Sequence, residues 1–82
     1  LSTTALNLLK AIGSGETQIT AQEVLQTYKL GTPRNATKAR DVLIGKDIIE
    51  RTKAGFAFLD PGFELWFKRE FLGKPVVLKL DQ

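Results

Sequence analysis

Gly31-Thr32-Pro33 and Asp60-Pro61 constrain this chain more than any other feature. Each pairs a good N-cap residue with a proline at the first helical position. The missing proline N–H costs nothing there, because that donor is unpaired at the start of any helix. Each therefore fixes where a helix begins, and the segment between them changes period. At about 100° per residue, Ala36, Ala39 and Leu43 share one face of a helix over 33–45, flanked by Val42 and Ile44. Arg34, Thr37, Lys38 and Asp41 lie opposite, and Gly45 and Asp47 mark the end. Ile48-Ile49-Glu50-Arg51-Thr52 then reads as a strand rich in β-branched residues. Lys53-Ala54-Gly55 is a turn, and Phe56-Ala57-Phe58-Leu59 returns with both rings on one face, giving a β-hairpin over 48–59. Beyond Asp60-Pro61, Phe63, Trp66, Phe67 and Phe71 recur at helical spacing and read as core, up to Gly73.

Upstream, Ala5, Leu8, Leu9 and Ile12 fall at i, i+3, i+4 and i+7 and predict a first helix. Ser2 or Thr3 caps it, and Gly13-Ser14-Gly15 stops it. Gln18-Ile19-Thr20 is at most a short extended piece. Thr20-Ala21-Gln22-Glu23 matches a capping box, in which hydroxyl and carboxylate satisfy each other's backbone amides. It predicts a short second helix with Val24, Leu25 and Tyr28 inward, ended by the turn at Gly31. Helix, helix, tight turn, helix, hairpin, helix describes a winged helix-turn-helix over residues 1–73. The fold class is mainly α with a small β-hairpin: a three-helix core, a two- to three-stranded wing and an extra C-terminal helix. The tail 74–82 carries Val76, Val77, Leu78 and Leu80 and reads as a C-terminal tail or an edge strand. Its pairing surface would be the rest of a parent protein or a second copy, which makes a homodimer one possible partner.

Composition excludes several function classes. Eighty-two residues make one small domain with a modest core. The chain has no cysteine, so it has neither a disulfide framework nor a thiolate zinc site, and cytoplasm is the default compartment. No apolar run approaches the roughly 18 residues of a membrane span, so no membrane partner is expected. There is no histidine, and Ser2 and Ser14 have no base in view. Asp60 and Glu64 read as an N-cap and a first-turn acid rather than a catalytic pair. Gly13-Ser14-Gly15 lacks the Lys-Ser/Thr that completes a phosphate loop. No catalytic residue, metal ligand or cofactor is expected within this chain. It begins at Leu1 and contains no methionine, which suggests a fragment of a longer protein.

Net charge is +3, but its distribution says more. Residues 29–53 hold seven basic and three acidic side chains, a local excess of +4, while the remainder sums to −1. A patch of this kind attracts phosphate. The DNA-contact candidates are Arg34, Asn35, Thr37 and Lys38 on helix 33–45, with Arg51 and Lys53 on the wing. Arg34 sits at a helix N-terminus, where the backbone already favours anions. The competing reading is a solvated helix face and a solubilising hairpin tip. Asp41, on the same face, would repel phosphate. Arg40 falls between Ala36 and Ile44 on the wheel and is expected to snorkel, or to pair with Glu50 or Glu23.

The stretch from ALNLLKAIGSGETQIT through FAFLDPGFELWFKR, roughly residues 5–69, resembles the C-terminal winged-helix domain of the archaeal-type, AAA/STAND-related P-loop ATPase family. The resemblance rests most on Tyr28-Lys29-Leu30-Gly31, on Lys46-Asp47-Ile48-Ile49-Glu50, and on Asp60-Pro61 followed by Phe63, Leu65 and Trp66. The sequence departs from the family at Arg40, where a leucine is common. The resemblance implies a larger ATPase whose ATP and Mg are handled by a separate domain. It leaves two functional expectations: DNA binding through helix 33–45 and wing 48–59, or an interaction module that packs against its own ATPase domain without touching DNA.

Overall fold

A computed structural model of the chain describes residues 1–73, so the expected edge strand over 74–82 lies outside the described residues. The elements are α1 (Thr3–Gly13), α2 (Gln22–Thr27), α3 (Pro33–Gly45), β1 (Ile49–Thr52), β2 (Gly55–Phe58) and α4 (Pro61–Phe71). α1 packs against both α3 and α4. The Ser2 hydroxyl caps it, accepting from the Ala5 amide at 3.1 Å. Ala5, Leu8, Leu9, Ala11 and Ile12 are buried, which is the expected stripe plus one alanine. On α3 the buried residues are Ala36, Ala39 and Leu43. The two alanines leave room for the α1 backbone to approach closely.

α2 differs from expectation at its start. Its N-cap is Ala21, with no side-chain cap, and Thr20 is exposed in the preceding turn. The Ala21 amide donates to the Gln18 carbonyl at 3.0 Å. That turn holds Ala21 extended and leaves Thr20 outside the helix, so the capping box does not form. The same turn replaces the extended piece expected at 18–20, and Ile19 is buried. Six residues are too few for a helix to stand alone in water. α2 is held by Val24 and Leu25 in the core and by a firm C-terminal stop.

That stop recurs. After α2, the Leu30 amide donates to the Leu25 carbonyl at 2.9 Å, and Lys29 takes the left-handed conformation at φ 55. After α3, Ile48 donates to Leu43 at 3.0 Å and Asp47 is left-handed at φ 58. After α1, Glu16 donates to Ala11 at 3.0 Å and Gly15 is left-handed at φ 96. Each closes the 6→1 bond of a Schellman motif. The α2–α3 corner therefore turns first on Lys29, with Gly31 (φ 83) completing it.

β1 and β2 pair antiparallel, with Ile49 opposite Phe58 and Arg51 opposite Phe56, around a two-residue turn at Lys53 and Ala54. Ile49 and Phe58 are buried across from each other, anchoring the base of the hairpin. At its tip, a Cβ on Gly55 would stand 2.8 Å from Thr17 Cγ2 and 3.3 Å from Thr17 Cα. The hairpin tip is thus pressed against the loop between α1 and α2. α4 begins as expected, with the Asp60 carboxylate accepting from the Gly62 amide at 2.9 Å. Phe67 is fully buried and Phe63 half-buried. Trp66 and Phe71, expected in the core, stay 50% and 40% exposed. α4 packs against α1 and β2. The resulting seat takes the i, i+4 pair Phe63 and Phe67 and leaves Trp66, about 100° round from Phe67, on its edge.

Candidate nucleic-acid interface

Thr32 starts α3 by accepting the Asn35 amide on its hydroxyl at 3.1 Å, and Pro33 occupies the first helical position. This start fixes the angular phase of everything downstream. With Ala36, Ala39 and Leu43 buried, Arg34, Lys38 and Asp41 are exposed and Thr37 is half-buried. Pro33, Arg34, Thr37, Lys38 and Asp41 line one shallow, open concavity on the solvent side of α3. Three of the four expected helix contacts are therefore brought together.

Asn35 stands apart. Its side chain folds toward the α2–α3 turn, with Nδ2 2.9 Å from where a Cβ on Gly31 would lie. It lines a second shallow groove with Ser2, Thr4, Lys38, Ala39 and Val42, between α3 and the start of α1. Lys38 borders both concavities. At α2's end, the Asn7 side-chain amide donates to the Lys29 carbonyl at 3.4 Å, tying the corner to α1.

Arg51 and Lys53 lie in a third concavity, between the hairpin and the 17–20 turn. Both are exposed. The Arg51 guanidinium lies 5.9 Å from the centre of the Phe56 ring across the strand pair. A cation over an aromatic face gains about 0.5–1 kcal/mol at an exposed site. The contact holds the charge at the hairpin surface.

The same concavity contains Arg40, which the sequence reading did not count as a contact. The structure also corrects its partner. Arg40 bonds neither Glu50 nor Glu23. Its Nε and Nη2 both donate to Asp41 Oδ1, at 3.0 and 2.8 Å. The side chain is only 20% exposed, so its stem is covered while its head reaches round the helix. This pairing offsets the charge of Asp41, which is 63% exposed in the middle of the α3 face. The signal in the sequence was position: Arg40 lies about 60° from Thr37 on the wheel, on the flank that faces the hairpin.

The chemistry open to this surface is contact with anions. Among the described residues no polar or charged side chain is buried. No group of three or more metal-capable side chains occurs among them. No helix is long and apolar enough to cross a membrane.

A family model described as "Probable winged helix domain" matches residues 1–69. That range contains the whole hairpin and all four helices except Glu70 and Phe71 at the end of α4. No curated protein and no solved structure matches the chain. The match agrees with the helix–turn–helix and hairpin described above and carries no link to a P-loop ATPase. This chain belongs to the probable winged helix domain family.

Proposed function

We propose that this domain binds duplex DNA, with α3 presented to the major groove and the hairpin alongside it. The observation that carries the reading is the shared outward face of Arg34, Thr37 and Lys38 on the helix after the turn. In helix-turn-helix proteins that second helix reads the groove. Arg51 and Lys53 extend positive charge to the hairpin side of the same helix, where Arg40, paired with Asp41, adds no net charge. Arg34 and Lys38 contact phosphates and set the register. Thr37, between them, is the side chain placed to meet a base edge. Binding is mostly electrostatic. The resemblance to the winged-helix domains of P-loop ATPases supports placing this domain beside a separate ATP-hydrolysing domain. On that reading the chain itself performs no catalysis.

The test is binding of the 82-residue chain to fluorescein-labelled duplex DNA, followed by anisotropy across a salt series. Contacts to about three or four phosphates give a slope of log K against log salt of about −3 to −4. Replacing Arg34 and Lys38 together by alanine should reduce that slope by nearly 2 units. An unchanged slope would remove these residues from the interface. Absence of binding even at low salt would favour the alternative, a module that docks on its own ATPase domain.

A further inference from the structure

α4 carries a second surface that the DNA reading does not use. Gly62, Leu65, Trp66 and Arg69 recur at i, i+3, i+4 and i+7 and are all exposed. Leu65 is 53% and Trp66 50% exposed. Trp66 is not a stray ring. It lies 5.7 Å from the Phe63 ring and 5.8 Å from Phe71, which stacks on buried Phe67 at 4.8 Å. The indole is therefore held in place by a chain of rings reaching into the core, yet half of it faces solvent. Neighbouring Lys68 pairs with Glu64 at 2.7 Å on the other flank of the helix.

The four positions are spaced symmetrically about their own middle. Leu65 and Trp66 form an apolar centre. The acidic Asp60 stands before one end of the helix and the basic Arg69 near the other. We propose that a second copy of this chain docks here, α4 against α4, antiparallel about a two-fold axis passing between Leu65 and Trp66. A two-fold contact presents the same patch from both sides. Leu65 of each copy then meets Trp66 of the other. Arg69 of each copy lies over Gly62 of the other, which has no side chain to block it, and reaches the Asp60 carboxylate. Opposite charges meet at both ends, and the two helix dipoles oppose. A parallel arrangement would instead set Arg69 beside Arg69 and Asp60 beside Asp60. That charge complementarity is the reason to assign the surface to a second copy. The inference stands independently of DNA binding, since α4 packs on α1 and β2.

The contact is small, so association falls in the range of roughly 10–100 μM. The experiment uses the full chain in sedimentation equilibrium, with tryptophan emission read in parallel. Trp66 is the sole tryptophan, so the emission reports this surface alone. The expected result is a monomer–dimer equilibrium whose emission shifts to the blue as concentration rises. Arg69→Glu puts two like charges at each end and should weaken the dimer at least about tenfold, while Arg69→Lys should largely retain it. Leu65→Glu should abolish it. Both glutamate variants should melt at the wild-type temperature when dilute, because both positions are exposed. A chain that stays monomeric at about 500 μM, well above that range, overturns the proposal. So does association that survives both glutamate variants or leaves the emission unmoved, as pairing through 74–82 would.

Discussion

Replacing Gly55 by alanine should destabilise the domain by about 2–4 kcal/mol, whereas the same change at Gly45 should leave it unharmed or slightly more stable. The difference follows from local geometry. At Gly55 a Cβ would lie 2.8 Å from Thr17 Cγ2, 3.0 Å from Thr17 Cβ and 3.3 Å from Thr17 Cα. Rotating the threonine side chain cannot clear a contact that includes its own backbone carbon. Overpacking of this kind costs about 1–3 kcal/mol. The backbone at Gly55 also has φ 142, a region L-residues avoid at a cost of about 1–3 kcal/mol. Partial relaxation of the tip keeps the total below the sum of the two maxima. At Gly45, on the last turn of α3, nothing lies within 4 Å of a new Cβ. Alanine there gains about 0.5–1 kcal/mol from helix propensity and a less flexible unfolded chain. In a domain of this size 1 kcal/mol moves the midpoint by about 4–8 °C. Thermal melts followed by far-UV circular dichroism should place the Gly55 variant roughly 10–25 °C below wild type and the Gly45 variant at or above it. A Gly55→Ala protein as stable as wild type would show that the hairpin tip does not rest on the 17–20 loop.

Two further substitutions separate buried from exposed positions and strained from relaxed ones. Phe67→Ala should cost about 3–5 kcal/mol in urea titrations, and Trp66→Ala less than about 2, because only Phe67 is fully enclosed. Equal losses would refute the described seat of α4. Lys29→Gly should stabilise by about 0.5–1 kcal/mol, since glycine relieves the left-handed strain at φ 55 but adds freedom to the unfolded chain. A loss of stability there would mean the corner does not turn on Lys29.

The elements set by short-range chemistry were readable from the chain. Thr32-Pro33 and Asp60-Pro61 mark the starts of α3 and α4, and the 3.6-residue period places Ala36, Ala39 and Leu43 inside. The same period puts Arg34, Thr37 and Lys38 outside together, so most of the candidate interface was legible too. Features that depend on a second element were not. Thr20 has the right spacing for a cap, yet the Gln18–Ala21 turn moves the helix start past it. Helical spacing gives the direction of Trp66 but not the width of the surface that receives it. Lys29 adopts a left-handed conformation usually given to glycine, which its residue type does not announce, whereas Asp47, read as a helix end, is of a type that tolerates that conformation. The Arg40–Asp41 pair joins adjacent positions, which do not face each other on a helix. It forms because the arginine is long enough to bend its head back onto the neighbouring carboxylate.

The central claim is that the outward face of α3 is where this domain meets DNA. Titrating the isotopically labelled chain with a duplex and following backbone amide shifts tests it most directly. The account predicts that shifts concentrate on residues 33–41 and 51–55, fade as salt is raised, and leave Leu65 and Trp66 unmoved. Shifts centred on α4 with α3 silent, or no shifts at low salt, would contradict it.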